Sequence, residues 1–254
     1  MQQLKENQNY QKVLVITPTY NASHTLERCI QSVKSQSYQN VEHVIIDAIS
    51  TDNTLDIVDK YKLKYLSEED QGLYDGMCKG IKEFSGQIIH ILNSDDWYAN
   101  ENVILDVVNY MNKHNLDLCH GYVDLILDDN SIYKTIGEDI NRTALLKKMK
   151  VAHPSVFVHR SVYHKYGCYS LCFTIAADYE WLLRVWSNVT VGFIGTRVVN
   201  MQYGGVSTTN VVESIRQSTS VSILHGLHPF LALLEYYKNR IKNCLSININ
   251  KARL

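Results

Sequence analysis

Residues 88–100 read IIHILNSDDWYAN. The first half of this stretch is mostly apolar and reads as a buried strand. It runs directly into Ser94, Asp95 and Asp96, with Trp97 and Tyr98 behind them. Adjacent carboxylates repel, so a cation or bulk water must offset the charge.

The segments before it share this plan. VLVITP (13–18), VEHVIIDA (41–48), KLKYLSE (62–68) and QIIHIL (87–92) read as strands. Between them, SHTLERCIQSVKSQ (23–36) places Leu26, Ile30 and Val33 at helical spacing, with Ser23 as a candidate N-cap. STDNTLDIVDKY (50–61) and GLYDGMCKGIKEFSG (72–86) read as two more helices, the latter with Tyr74, Met77, Ile81 and Phe84 on one face. Such alternation implies βαβ units: an α/β fold with a mainly parallel sheet and helices on both faces. Ligands in such sheets bind beyond the carboxyl ends of the strands. The segments found there, TPTYN (17–21), DAISTDN (47–53), SEEDQGLYDG (67–76) and NSDDWY (93–98), are polar or aromatic and should gather on one rim.

The second half is less regular. LDLCHGYVDLILDDNSIYKTIG (116–137) predicts a hairpin turning at residues 128–131. HPSVFVHR (153–160), VTVGFIG (189–195) and VVNMQYGG (198–205) predict strands, AADYEWLLRVW (176–186) a helix, and the chain reads helical from Val211 onward.

Composition narrows the function. The 254 residues suit one large domain or a domain with an appendage, and 45% hydrophobic content supports a sizeable core. A formal net charge of -1 argues against a general nucleic-acid binder. The six cysteines form no C-x-x-C pair or zinc spacing and read as reduced thiols of a cytosolic protein. The N-terminal stretch is polar, with no apolar signal core, and no window suits a membrane span. Any membrane contact is therefore expected to be peripheral.

Asp95 and Asp96 supply hard oxygen ligands of the kind magnesium and manganese take, with water and phosphate completing the shell. The plainer account is a solvated turn with an Asp cap. Asp178 has two accounts as well: a first-turn acid stabilised by the helix dipole, which the pattern alone favours, or a general base. There is no phosphate-binding G-x-x-x-x-G-K-[ST] loop, no G-x-G-x-x-G after the first strand and no G-x-S-x-G elbow.

In combination these stretches resemble the inverting glycosyltransferases of family 2, which have the GT-A fold. VITPTYNASHTLERCIQSVKSQSYQNVEHVIIDAISTDNT (15–54) is similar to the family's nucleotide-binding opening. SEEDQGLYDGMCKGIKEFSGQIIHILNSDDWY (67–98), HPSVFVHRSVYHKYGCYS (153–170) and IAADYEWLLRV (175–185) resemble a subgroup of bacterial polysaccharide clusters. The likeness spans about residues 13–207. It implies a GT-A catalytic domain over 1–207, with a nucleotide-binding half at about 10–100 and an acceptor half at about 101–207. A helical extension, 208–254, follows.

The resemblance also implies roles. Thr17, Pro18, Thr19 and Tyr20 would line the uracil and ribose pocket, and Asp47 would bond the base. Tyr74, Asp75 and Lys79 would help hold the donor. Ser94 and Asp95 would sit near the ribose and diphosphate. Asp96, with Asp95, would bind Mn2+ or Mg2+. Asp178 would be the catalytic base, displacing the cap account. His153, Gly204 and Gly205 would lie by the diphosphate or acceptor; a capped or surface histidine is the plainer account of His153. Two departures stand out: Ala48 follows Asp47 where the family has a small-Gly pattern, and Cys78 replaces an Asn before Lys79.

The implied reaction moves glucose, galactose or an N-acetyl form from a UDP-sugar to a lipid-diphosphate-linked sugar, in β-linkage, for O-antigen or capsule. The rivals are a nucleotidyltransferase, which would want a Gly-rich basic loop after the first strand, and a nucleotide-sugar-binding module without turnover. The expected location is cytoplasmic, on the inner face of the bacterial cytoplasmic membrane. Leu224, Leu227, Phe230, Leu231 and Leu234 form an apolar stripe, followed by Lys238, Arg240, Lys242, Lys251 and Arg253. That pattern suits an anionic membrane surface. The ordinary alternative packs the stripe on the catalytic domain or on a second copy in a homodimer.

Overall fold

The computed structural model describes residues 11–204 and 210–251. Four strands open the chain: β1 (Val13–Thr19), β2 (Val41–Asp47), β3 (Lys64–Ser67) and β4 (Ile88–Ile91). Helices α1 (Leu26–Lys34), α2 (Thr54–Lys60) and α3 (Leu73–Glu83) alternate with them. β3 pairs with β2, β2 with β1 and β1 with β4, all in parallel. Strand β1 is buried along its whole length because it is covered on both faces. Leu14 and Ile16 pack toward Tyr74, Met77 and Ile81 of α3, whereas Val13 and Val15 pack toward Cys29 and Val33 of α1. This is the period of two expected of a central strand. Gly80 lets α3 settle onto the sheet, since a Cβ there would meet Ile16 at 2.6 Å and Ile46 at 3.0 Å.

Beyond β4 the sheet changes character. The later strands are β5 (Trp97–Tyr98), β6 (Leu118–Ile126), β7 (Ile132–Ile136), β8 (Phe157–His159) and β9 (Val191–Gln202). Between them run α4 (Val103–His114), α5 (Arg142–Lys147), α6 (Arg160–Tyr166) and α7 (Ala177–Val185). The order across the described strands is β3-β2-β1-β4-β8-β6-β9-β5, with β7 on β6. β8 runs antiparallel to both β4 and β6, and β5 antiparallel to β9, while β6 and β9 are parallel. The parallel arrangement thus belongs to the first half, and the whole sheet is mixed. The hairpin at residues 128–131 forms as β6–β7. The two strands expected over residues 189–205 are one strand, β9, whose pairing with β6 shifts register beside Gly121.

Two local expectations are corrected. Ser23 is not the cap of α1: the N-cap is Thr25, without a side-chain bond, and the Ser23 N–H donates to Asp52 Oδ2 at 3.1 Å. The six thiols are not all free, because Cys78 of α3 is joined to Cys168, 90 residues away. Their partnership depends on α3 meeting the turn after α6, which no local spacing encodes.

His90 ties the sheet to the site. It is fully buried, stacked on Phe157 at 3.9 Å, and burial drops it to about 3. The neutral ring accepts at Nδ1 from Tyr98 Oη (2.7 Å) and donates at Nε2 to Pro154 O (2.8 Å). It thereby holds the 3-10 turn His153–Ser155 over the end of β4.

The C-terminal helices are α8 (Val211–Leu224) and α9 (Pro229–Lys251). α8 is joined to the catalytic body: Ser222 Oγ meets Tyr179 Oη at 3.0 Å, and buried Gln217 accepts from the Ile175 and Ala176 N–H groups at 2.9 and 3.2 Å. Those two N–H groups lie just before α7, where a helix start leaves donors unpaired. The stripe does not pack inward as a unit. Leu227 is buried, but Leu224, Phe230, Leu231 and Leu234 are exposed, as are Tyr237 and Ile241. Lys251 belongs to α9 by its backbone, and Arg253 lies outside the described residues.

Candidate active site

The four strand-end segments converge as the βαβ plan requires. They border a cavity of about 860 Å³ that is completed by His153, Thr174, Ile175, Asp178 and Gln202 from the second half. Pro18, Thr19, Tyr20, Tyr74, Ser94, Asp95 and Asp96 all line it.

Asp95 and Asp96 answer the question raised by residues 88–100. The Asp96 carboxylate is fully buried. Its Oδ2 accepts from Asn93 Nδ2 at 3.1 Å, while its Oδ1 has no partner among the described residues. Burial, with the neighbouring Asp95 charge, pushes Asp96 well above the usual carboxylate range, and burial raises Asp95 too. A solvated turn would not do this. Arg28, stacked 3.5 Å over Trp97, donates to the backbone O of Asp95 and to Gln202 Oε1, both at 3.1 Å. It straps the loop to the end of β9. A cation beside Asp96 would favour the charged carboxylate and engage the orphaned oxygen. Among the described residues no three His, Cys, Asp or Glu side chains gather to form a complete metal cage. Such a sparse set fits a hard divalent ion that keeps water and phosphate oxygens as its other ligands.

Asp178 is the second residue of α7, an acid in the first turn as the dipole account expects, while the N-cap itself is Ala176, without a side-chain bond. Oδ1 of Asp178 accepts from the Tyr179 N–H at 2.8 Å and faces Tyr74 Oη at 3.1 Å. Tyr74 is the second residue of α3, whose N-cap is Gly72; the φ of 114° there needs a glycine, and its N–H donates to Asp70 Oδ1 at 2.9 Å. His153 Nε2 pairs with Tyr169 Oη at 2.9 Å, and burial holds the imidazole below its ordinary value against the opposing Asp178 charge. His153 is thus a bonded wall residue, not a free surface one.

Other expected residues stand apart from the cavity. Thr17 turns inward, its Oγ1 at 2.9 Å from His43 Nε2. Asp47 is fully buried, and both its oxygens are engaged: Oδ1 by Thr19 and Ser50 hydroxyls, Oδ2 by the Ser50 N–H and Ser67 hydroxyl. It organises the rim from beneath. Lys79 and Asp75 pair with each other at 3.4 Å, and Lys79 also with Glu68 at 3.1 Å. Gly204 is exposed, and Gly205 lies outside the described residues.

Residues that the reading of the sequence did not single out include Asn21, Asp70, Asn93, Thr174 and Gln202, all on the cavity wall. Asn21, Asp70 and Asn93 do lie in the polar strand-end segments. Thr174 and Gln202 carried no such signal.

One carboxylate facing a cavity that also holds a cation-seeking pair suits a displacement: a hydroxyl attacks as a phosphate-type group departs. Comparison with known proteins places the chain in a family. The model of glycosyl transferase family 2 matches residues 14–169. A Mycobacterium bovis protein named PGL/p-HBAD biosynthesis glycosyltransferase is 27% identical over 241 residues, covering 91% of this chain and 93% of that one. Escherichia coli WfgD, a UDP-Glc:alpha-D-GlcNAc-diphosphoundecaprenol beta-1,3-glucosyltransferase, is 29% identical over 218 residues, covering 81% of this chain and 83% of its own. Among solved structures, S. aureus TarS 1-349 in complex with UDP-GlcNAc aligns with a TM-score of 0.69 at 16% identity, covering 91% of this chain and 73% of that chain.

Proposed function

The chain belongs to glycosyl transferase family 2 and is a glycosyltransferase, and from that premise we propose that it moves a hexose from a UDP-sugar, with inversion, onto a lipid-diphosphate-linked sugar. The observation that carries this is one cavity lined by Asp95, Asp96 and Asp178 together. The donor class is supported by the UDP-glucose named for WfgD and the UDP-GlcNAc bound by TarS; the acceptor class is supported by the diphosphoundecaprenol substrate in the WfgD name. Assembly of O-antigen or capsule follows from the same reading.

The step balances simply. Asp178 takes the proton of the acceptor hydroxyl, whose oxygen bonds to the anomeric carbon. The bond from that carbon to the diphosphate oxygen breaks, and its electron pair leaves on UDP. Attack opposite an α-linked leaving group gives a β-linkage. Pro18, Thr19 and Tyr20 form the nucleoside wall, shaped from below by Asp47. Ser94 and Asp95 border the diphosphate, and His153 the acceptor side. Mn2+ or Mg2+ would be held through Asp96 Oδ1 and Asp95, and when bound it neutralises charge on the leaving diphosphate. The direct test is UDP release from a panel of UDP-sugars with manganese and a synthetic lipid-diphosphate GlcNAc or GalNAc acceptor. Acceptor-dependent release from at least one UDP-sugar is expected. UDP binding without turnover would instead identify a binding module.

The proposed location is peripheral, on the cytoplasmic face of the membrane. Among the described residues no helix is long and apolar enough to cross a membrane. α9 turns Ala232 inward and leaves Phe230, Leu234, Tyr237 and Ile241 outward. At 100° per residue, Lys238 and Arg240 flank that outward stripe on either side. An apolar face with cationic flanks suits anionic lipid. The full chain should float with anionic liposomes at low salt, and Phe230→Glu/Ile241→Glu should stay behind. If both remain soluble, or if the variant only halves the particle mass, the face serves no membrane and a second copy becomes its occupant.

A further inference from the structure

Tyr74 sits one helical turn before Cys78, in a stretch that the family resemblance associates with donor binding. Its hydroxyl points elsewhere. Tyr74 Oη lies 3.1 Å from Asp178 Oδ1 and 2.7 Å from Ile175 O, across the seam between α3 and α7. The ring is buried and packs on Tyr169, with centroids 5.6 Å apart, so the hydroxyl has little freedom to swing away. On the far side of the same backbone, Gln217 of α8 holds the Ile175 and Ala176 N–H groups. The start of α7 is therefore gripped from both sides. Oδ1 of Asp178 is occupied by Tyr74 and by the Tyr179 N–H. Among the described residues no hydrogen bond engages Oδ2, and Asp178 borders the cavity.

We propose that Tyr74 is a positioning residue for Asp178, fixing Oδ1 so that Oδ2 is the oxygen that receives the acceptor proton. The inference rests on the reading of Asp178 as the base. A tyrosine hydroxyl has one proton to donate. Donated to Asp178, it forms the stronger, charge-assisted bond while the carboxylate is ionised. Once Oδ2 has taken the acceptor proton, the hydroxyl can turn to Ile175 O. Burial and the Asp178 charge hold the Tyr74 phenol well above its ordinary value, so it keeps its proton throughout.

The test is Tyr74→Phe in the full chain, alone and combined with Asp178→Asn, assayed with UDP-sugar, acceptor and manganese. Tyr74→Phe should lower kcat roughly 10- to 100-fold, the scale of one hydrogen bond to a charged group. The Kd for UDP and the KM for acceptor should stay within about twofold. In the Asp178→Asn background the same change should cost nothing further, because residues acting as one unit are not additive. A multiplicative loss in the double variant would show that Tyr74 acts independently of Asp178 and overturn the proposal. Weakened UDP binding would overturn it too, returning Tyr74 to the donor wall. Full kcat in Tyr74→Phe with a dead Asp178→Asn would remove the positioning role and leave the base standing. If Asp178→Asn itself turns over normally, the base reading falls and this inference with it.

Discussion

Asp178→Asn is expected to keep its affinity for UDP and to lose transfer by roughly 10²- to 10⁴-fold, the usual contribution of a positioned base. The substitution preserves shape. An amide oxygen at Oδ1 can still accept from the Tyr179 N–H and from Tyr74 Oη. The negative charge is removed, and the basicity with it. The competing helix-cap account makes the opposite forecast. A lost cap would cost about 1 kcal/mol of stability and leave specific activity intact. Ala176 already occupies the N-cap position, so the variant loses no cap and only the first-turn charge on the dipole, about 0.3–1 kcal/mol, and thermal midpoints should differ by no more than a few degrees. Measuring the midpoint, UDP binding by calorimetry and single-turnover transfer on the same preparation separates the two accounts. A variant that melts early but transfers at the wild-type rate would make Asp178 structural.

Asp96→Ala should abolish divalent-cation dependence together with most of the turnover, a loss of roughly 10²- to 10³-fold on the scale of one preorganised electrostatic group. The fold should survive. The Asp96 carboxylate is fully buried and, among the described residues, has Asn93 as its side-chain partner and leaves Oδ1 unpaired, so removing it relieves a desolvated charge. A midpoint equal to or above that of the parent is therefore expected. The parent enzyme, stripped with EDTA, should recover its rate on titration with manganese, whereas the variant should not respond. Full activity of the stripped parent, or near-normal turnover by Asp96→Ala, would sink the metal assignment. The two substitutions act at different places. Asp178→Asn should leave metal-dependent UDP binding unchanged; Asp96→Ala should weaken it.

What could be read from the linear chain was whatever is encoded by short-range pattern. Val13–Thr19 is apolar because it is the central strand covered on both faces, and four such runs alternating with helical periods specify the parallel half of the sheet. In that topology the carboxyl ends of the strands share a rim, so Tyr20, Ser94, Asp95 and Asp96 could be placed at the site before any contact was known. The second half was less legible because its strands are joined by antiparallel and crossed pairings. Nothing local distinguishes one long β9 from two short strands, since the bend at Gly195 looks like a terminus. Asp47 and Asp96 look alike as strand-end aspartates; only the three-dimensional neighbourhood shows that Thr19, Ser50 and Ser67 engage one while the other keeps an open oxygen. Tyr74 meets Asp178 across 104 residues, and Cys78 meets Cys168 across 90. The outward turn of Phe230, Tyr237 and Ile241 is likewise set by how α8 docks on α7, not by the period of α9. Periodicity determines which residues share a face. The direction of that face, and which distant group meets it, depends on the packing of whole elements, so only the tertiary structure could decide them.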